Sequence, residues 1–451
     1  MTHKSRRNFL RQSIGLTGVG TSTFIGSTRP LDAQKIPSSR VLGVNNQILV
    51  GLIGCGGRGR RLLTDFLQNK NVRCIALCDI DDQQILQASQ LDPSISTSLI
   101  LKTKDFREVL ALNNLDAVIV ATPDHWHALQ TVMACQMNKD VFVEKPLALT
   151  IQEGKFMVQA ARSYKRVVQV GTQQRSTPHF MDSIEYVKSG QLGRIRLVRA
   201  WAYLDWKGHT PKIPDSIPPS HVDYDLWLGP AKHRPFNENR FHFTFRWFWD
   251  YSGGLMTDWG AHMIDIANWG MNVKAPSSAF SAGGKFAYPD DAMETPDTQQ
   301  VTWSFPDFSM IWEHALGVGR GPESREHGVS FHGEEGLLVV DRLGWQVFSE
   351  TQRGERRKRI FKGKGLPFQP AQKGSTLRHV NNFLDCMESR KRPNADVEIA
   401  HNSVIGCHLG NIAQRMAREV KWNVDKEEVI NDPEAQKMTL ADYRLPWKLT
   451  S

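Results

Sequence analysis

The stretch ILVGLIGCGGRG, Ile48 to Gly59, decides how the first half of this chain is read. Ile48 to Gly54 is a short, β-rich apolar run. Gly54-Cys55-Gly56-Gly57-Arg58-Gly59 follows it as a G-x-G-x-x-G turn, and Leu62, Leu63, Phe66 and Leu67 then recur at helical spacing. Between a strand and a helix, such glycines allow a tight turn and let backbone N–H groups approach a pyrophosphate at the helix N-terminus. Six residues alone carry little weight. The second apolar run, VRCIALCD, strengthens them, because it ends in Asp79, 20 residues beyond Gly59. An acid at that position accepts hydrogen bonds from an adenosine ribose. Its charge repels a 2′-phosphate, which favours NAD over NADP, while Arg58 and Arg60 nearby leave NADP open.

Outward from this unit the pattern is regular. LDAVIVAT (Leu115 to Thr122), DVFVEK (Asp140 to Lys145) and VVQVGT (Val167 to Thr172) read as three further strands, separated by helix-length segments. Thr150-x-x-Glu153 before an apolar run is a capping-box start. Continuous apolar strands alternating with helices imply a parallel sheet covered on both faces. Ligands of such sheets bind outside the carboxyl ends of the strands. Three segments fall there: Thr122-Pro123-Asp124-His125-Trp126-His127, Glu144-Lys145-Pro146 and Gly171-Thr172-Gln173-Gln174-Arg175. A lysine at a strand end between Glu and Pro is unusual if only packing matters, although Glu144 could simply pair with it.

After Arg194 the rhythm changes. IRLVRAWAY (Ile195 to Tyr203) reads as a strand, and a Pro-, Trp- and Phe-rich stretch then runs to Tyr251. Seven of the 13 tryptophans lie between Trp201 and Trp269. Aromatic faces stack on the C–H faces of sugars, and core filling or a subunit interface accounts for the same residues equally well. Just behind them, GGLMTDWGAHMID (Gly253 to Asp265) sets Asp258 and His262 four residues apart, the spacing at which two side chains share one helix face. Segments from Ala279 to Glu350 alternate apolar and polar, as in a sheet with one buried face. Helix-like segments at Leu377 to Met387 and Val397 to Met416 follow, and an irregular tail closes the chain.

At 451 residues the chain has room for two or three domains. Its formal net charge of +9 owes much to Lys4, Arg6, Arg7, Arg11 and Arg29 in the first 33 residues. No basic block interleaved with aromatics follows, so no nucleic-acid partner is expected. No apolar run is long enough for a membrane span. Six cysteines without C-x-x-C or zinc-like His spacing indicate neither a disulfide framework nor a metal site. Ser5-Arg6-Arg7-Asn8-Phe9-Leu10 with the weakly apolar run Ile14 to Gly26 reads as a twin-arginine export signal, taken to end at Ala33. A basic N-terminus with no such role is the alternative. An exported, periplasmic protein carrying a tightly held cofactor loaded before export is therefore expected.

The glycine turn, EKP, VGTQQR, GGLMTDWGAH and the terminal NDPEAQKMTLADYRLPWKL together resemble the Gfo/Idh/MocA family of oxidoreductases, from about Ile48 to the C-terminus. The resemblance implies a Rossmann domain followed by an α/β domain whose open, largely antiparallel sheet often forms a homo-oligomer interface, in a dimer or tetramer. On that basis residues 1–33 form the signal, 34–47 a linker, 48–172 the Rossmann NAD-binding domain, 173–374 the substrate-binding domain, and 375–451 C-terminal helices and tail packing back on the core. The family's catalytic lysine corresponds to Lys145, and its D-x-x-x-H pair to Asp258 and His262. The cofactor set then comprises Gly54, Gly56, Gly57, Arg58, Gly59, Asp79, Thr122, Pro123, His127, Glu144, Lys145 and Gln173. Arg175, Trp249 and Trp259 are assigned to the substrate, with no metal.

The implied activity is oxidation or reduction of a secondary hydroxyl or ketone of a sugar, sugar derivative or cyclitol, using NAD or NADP. His262 serves as general acid/base. Lys145 stabilises alkoxide charge, and Asp258 binds a neighbouring hydroxyl or orients the pair. A second reading is an NAD-dependent glycosidase or lyase acting by transient oxidation. The N-acetylgalactosaminidase branch of such relatives lacks the lysine and sets its histidine in H-G-L-G-P, unlike this chain. A third reading, a non-catalytic nucleotide-binding protein, predicts loss of one of the three polar groups, and all three are present.

Overall fold

The computed structural model describes residues 47–96, 99–355 and 358–450; the twin-arginine segment lies outside the described residues. Strand β1 (Ile48–Ile53) buries Ile48, Val50, Leu52 and Ile53. It leads through Gly54 into the helix Gly57–Leu67, whose inner face is Leu62, Leu63 and Phe66. Gly54 has φ +93°, a backbone conformation that disfavours any Cβ. At Gly59 an added Cβ would lie 1.9 Å from the Gly54 carbonyl oxygen, so the helix sits against the strand end as only glycine permits.

β1 pairs in parallel with β2 (Val72–Cys78) and with β4 (Ala117–Val120). β5 (Asp140–Val143) and β6 (Val168–Val170) extend the sheet on one side, and β3 (Leu101–Thr103) on the other. The order β3-β2-β1-β4-β5-β6 is the doubly wound arrangement, with its switch point between β1 and β4. β3 has no counterpart in the sequence reading: three residues on an edge, none fully buried, leave no apolar run to detect. The capping box at Thr150 and Glu153 forms, both arms present.

The second sheet has the order β16-β13-β12-β11-β7-β10-β9-β8-β17-β18. Its strands are β7 (Leu197–Leu204), β8 (Ser278–Gly284), β9 (Thr298–Ser304), β10 (Ser309–Leu316), β11 (His327–His332), β12 (Gly336–Val340), β13 (Gly344–Ser349), β16 (Leu366–Pro370), β17 (Val420–Asn423) and β18 (Glu428–Val429). A separate hairpin pairs β14 (Thr351–Arg353) with β15 (Arg359–Phe361). Among the described residues of this sheet only β7 and β10 pair in parallel, and every other pairing is antiparallel. β9 shows why one face is covered: Gln299, Val301 and Trp303 are buried and Gln300, Thr302 and Ser304 are exposed. Helices Gly260–Met271 and Val397–Met416 pack on the buried face. Trp201 and Trp247 of the aromatic stretch are fully buried core residues.

The tail is more ordered than the sequence reading allowed. β17 joins the sheet edge beside β8, and a short helix, Pro433–Lys437, follows β18. The last residues then cross back to the first sheet. Tyr443 donates a hydrogen bond to buried Glu153 at 2.6 Å, and Trp447 packs against Trp126 with ring centroids 4.9 Å apart. Two- and four-residue strands carry too little periodicity to be read without their partners. No helix among the described residues is long and apolar enough to cross a membrane.

Candidate active site

A cavity of about 610 Å³ opens at the carboxyl ends of the first sheet and is closed by residues of the second domain. Its cofactor side begins at the glycine turn. The helix Gly57–Leu67 has no side-chain cap and no acid in its first turn, so its N-terminal N–H groups are left for an anion. Added Cβ atoms at Gly56 or Gly57 would meet nothing within 4 Å, because both positions face the open cavity. Asp79 lines the cavity and accepts from Cys55 N at 2.6 Å and Asp81 N at 3.0 Å, which fixes the turn against the second strand. Burial pushes its carboxyl up to about 6, against the pull of those N–H donors. Arg58 reaches across to Glu144 at 2.7 Å, and Arg60 holds Cys55 O and Gln84. This uncapped, glycine-lined cradle with an acid at the second strand end fits a dinucleotide.

The opposite end gathers Lys145, Asp258 and His262. Lys145 follows β5, and its Nζ donates to Asp258 Oδ1 at 2.5 Å and to Asp258 O at 2.9 Å. Its partner is thus in the other domain, and Glu144 is taken by Arg58 instead. Asp258 ends the helix Gly254–Asp258, the chain turns at Trp259, and His262 lies in the first turn of Gly260–Met271. The pair therefore sits on two consecutive helices rather than on one face of a single helix, and both side chains still reach the cavity. Burial works to raise the Asp258 carboxyl, but Lys145, Arg246 and Arg342 outweigh it and hold it below the usual range. Burial, then Lys145 and Arg342, drives His262 well below the ordinary imidazole value. Its Nδ1 has no hydrogen-bond partner among the described residues. The neutral imidazole is thus favoured at His262, beside the Lys145 side chain that Asp258 holds.

Thr122, Pro123, Gln173 and Trp259 also line the cavity. Four expected site residues do not. Gly59 lies beneath the turn, where it makes the close approach described above. His127 is buried, with Nδ1 2.8 Å from Pro146 O and Nε2 2.9 Å from Thr122 O, so it ties the two strand-end loops together from behind. Arg175 turns inward: Nε donates to Asp265 at 2.7 Å, and the guanidinium lies 5.0 Å from the Trp269 ring centroid. Trp249 is packed under Arg415, 5.0 Å from its ring, and its backbone N–H donates to Glu294. Position after a strand or in an aromatic run fixes only a neighbourhood: backbone carbonyls turn His127 and a buried carboxylate turns Arg175.

Several cavity residues escaped the sequence reading. Asp124 is buried, hydrogen-bonds Ser252 and is pushed up to about 6, by burial before all else. Arg246 and Arg342 enter from the aromatic stretch and from the β12–β13 turn. No local motif marks either arginine; only the topology of the second sheet carries Arg342 to the site.

Comparison with known proteins agrees with this architecture. Residues 48–172 match the model described as oxidoreductase family, NAD-binding Rossmann fold. Residues 194–279 and 370–449 match the oxidoreductase family C-terminal alpha/beta domain. The uncharacterized oxidoreductase YrbE of Bacillus subtilis is 24% identical over 268 residues, covering 59% of this chain and 66% of that protein. A glycosyl hydrolase family 109 protein of Solibacter usitatus is 31% identical over 172 residues, 37% of this chain and 38% of that one. The chain thus spans less than two thirds of the length of these curated relatives. Levoglucosan dehydrogenase, solved with NADH and levoglucosan, shares the fold with TM-score 0.62 at 19% identity, covering 83% of this chain and 99% of that one. Aldose-aldose oxidoreductase from Caulobacter crescentus does so with TM-score 0.62 at 18% identity, again covering 83% and 99%. With its glycine-lined cradle and its matched domains in order, the chain belongs to the Gfo/Idh/MocA oxidoreductase family and carries that family's NAD-binding Rossmann domain.

Proposed function

We propose that the protein oxidises a secondary hydroxyl of a sugar, sugar derivative or cyclitol, or reduces the corresponding ketone. The observation that carries this reading is the Lys145–Asp258 pair meeting His262 in the cavity that also contains the dinucleotide cradle. Bound NAD supplies a hydride acceptor. The chain's own residues manage the proton and the charge. His262, held neutral, takes the hydroxyl proton as the carbon gives up hydride. Lys145, aimed by Asp258, hydrogen-bonds the same oxygen and stabilises its developing negative charge. In the reverse direction the same groups return the proton.

The test is a rapid-mixing scan of NAD-loaded enzyme against free sugars, cyclitols and aryl glycosides, following 340 nm absorbance and aglycone release. A rise at 340 nm without aglycone release is expected. The family 109 relative favours a second reading, a glycosidase acting by transient oxidation. It requires aglycone release over many turnovers without net reduced nucleotide.

The pH profile follows from the direction of the His262 shift. A base whose folded pKa is depressed stays neutral until the pH falls below that lowered value, so oxidation stays flat through the neutral range. Its acid limb lies below the ordinary imidazole pKa of about 6.5. A His262-dependent inflection at or above that value in kcat/KM contradicts the assignment. An inflection near 6 that vanishes in Asp124→Asn belongs to the buried Asp124 carboxyl instead.

The enzyme is further proposed to leave the cytoplasm by the twin-arginine route, on the strength of Arg6-Arg7 and the weakly apolar run behind them. Residues 1–40 fused to a folded fluorescent reporter should direct it across the inner membrane, and Arg6→Lys with Arg7→Lys should keep it inside. Equal export of both fusions would refute this.

A further inference from the structure

Lys145, Arg246 and Arg342 line the cavity together with Asp124 and Asp258, and Glu326 lies close enough to act on Arg342. Lys145 is committed to Asp258. Arg246 donates to Phe243 O, lies over the Phe243 ring at 4.0 Å, and leans toward Asp258 Oδ1 at 3.8 Å; its buried Nε has no hydrogen-bond partner. Arg342 is different. Its guanidinium lies 4.5 Å from the Trp259 ring centroid, and it makes no hydrogen bond or ion pair with any described residue. Although accessible through the open cavity, it is close enough to His262 and Asp258 to shift both.

The turn that carries Arg342 is built. Asp341 Oδ1 accepts from Leu343 N at 2.7 Å and Gly344 N at 3.0 Å, while Asp341 Oδ2 pairs with Arg325 at 3.0 Å. His179 Nε2 lies 3.0 Å from Asp341 O. An arginine on a fixed turn, stacked on an aromatic ring beside the acid/base residue and hydrogen-bonded to no carboxylate among the described residues, has the donors that an anion receptor needs. A planar guanidinium fork matches a planar carboxylate with two parallel hydrogen bonds.

From this, resting on the dehydrogenase reading above, the geometry points to a sugar acid as substrate: a hexuronate or aldonate whose carboxylate is bound by Arg342. The carboxylate takes no part in the chemistry. A proton with two electrons leaves the carbinol carbon as hydride for the nicotinamide, and the hydroxyl proton goes to His262, as for a neutral sugar.

The experiment compares matched pairs at constant ionic strength: D-glucuronate with D-glucose, D-galacturonate with D-galactose, D-mannuronate with D-mannose and D-gluconate with D-glucose. Binding to NADH-loaded enzyme is measured by calorimetry, and turnover of NAD-loaded enzyme at 340 nm. At least one acid should bind about thirtyfold or more tighter than its neutral parent, the scale of a bidentate charge-assisted contact. Arg342→Ala should bring that ratio within about threefold of unity, and Arg342→Lys should retain part of it. Acids binding within threefold of their parents in the wild type overturn the inference, as does an Arg342→Ala enzyme that keeps the preference. The two readings fail separately. Oxidation of neutral sugars without preference for acids removes the carboxylate site and keeps the dehydrogenase. Acid binding that depends on Arg342, with silence at 340 nm, supports the carboxylate site and removes the dehydrogenase.

Discussion

Lys145→Ala should lower kcat at least about a hundredfold, which corresponds to about 2.7 kcal/mol of transition-state stabilisation. NADH affinity, read by fluorescence titration, should change little. The reasons lie in the separation of the two ends of the cavity. The cradle consists of the glycine turn, Asp79 and the Arg58–Glu144 pair, none of which bonds the lysine side chain. Lys145 instead is bound twice to Asp258, at the point where the proposed mechanism brings a substrate oxygen to His262. Removing it takes away a donor and leaves Asp258 facing Arg246 and Arg342 alone. His262→Ala should lose turnover on the same scale, since the proton then has no positioned acceptor. Turnover within threefold of wild type in either variant would sink the assignment.

Gly59→Ala carries the largest expected structural effect. Its Cβ would fall 1.9 Å from Gly54 O and 3.0 Å from Gly54 C, both backbone atoms that cannot swing aside. The helix must therefore move off β1, at an overpacking cost of about 1–3 kcal/mol. That displacement spoils the cradle, so dinucleotide affinity should fall about a hundredfold or more and Tm by a few degrees. Gly57→Ala is the informative contrast. Its Cβ meets nothing within 4 Å, yet it projects into the cavity where a pyrophosphate would sit. It should weaken the dinucleotide while leaving Tm close to wild type. Equal Tm for the two variants in thermal denaturation would show that the close approach at Gly59 does not hold the turn.

What could be read beforehand depended on how locally each feature is encoded. The first sheet is legible because buried parallel strands are continuous apolar runs, and the glycine turn is a steric requirement written into consecutive residues. β3, β17 and β18 are short, partly exposed pieces whose pairing only the assembled sheet supplies. The approach of Lys145 to Asp258 was suggested by resemblance, and the geometry adds the reason that Glu144 is not the partner: Arg58 already holds it. Arg175 stood at the right strand end, but Asp265, buried one turn beyond His262, draws its guanidinium inward. Arg246 and Arg342 could not be seen at all. One lies among aromatics that are mostly core, and the other is 80 residues beyond His262, joined to it by a sheet whose order no local pattern reveals.

The most direct test of the account follows the hydrogen itself. The sugar giving the largest 340 nm signal would be deuterated at its oxidised carbon and mixed with NAD-loaded enzyme, and the nucleotide then examined by mass spectrometry. Hydride transfer at the Lys145–Asp258–His262 site predicts one deuterium per reduced nucleotide, with formation slowed at least about a hundredfold in Lys145→Ala. Reduced nucleotide without deuterium, or labelling at an unchanged rate in that variant, would contradict it.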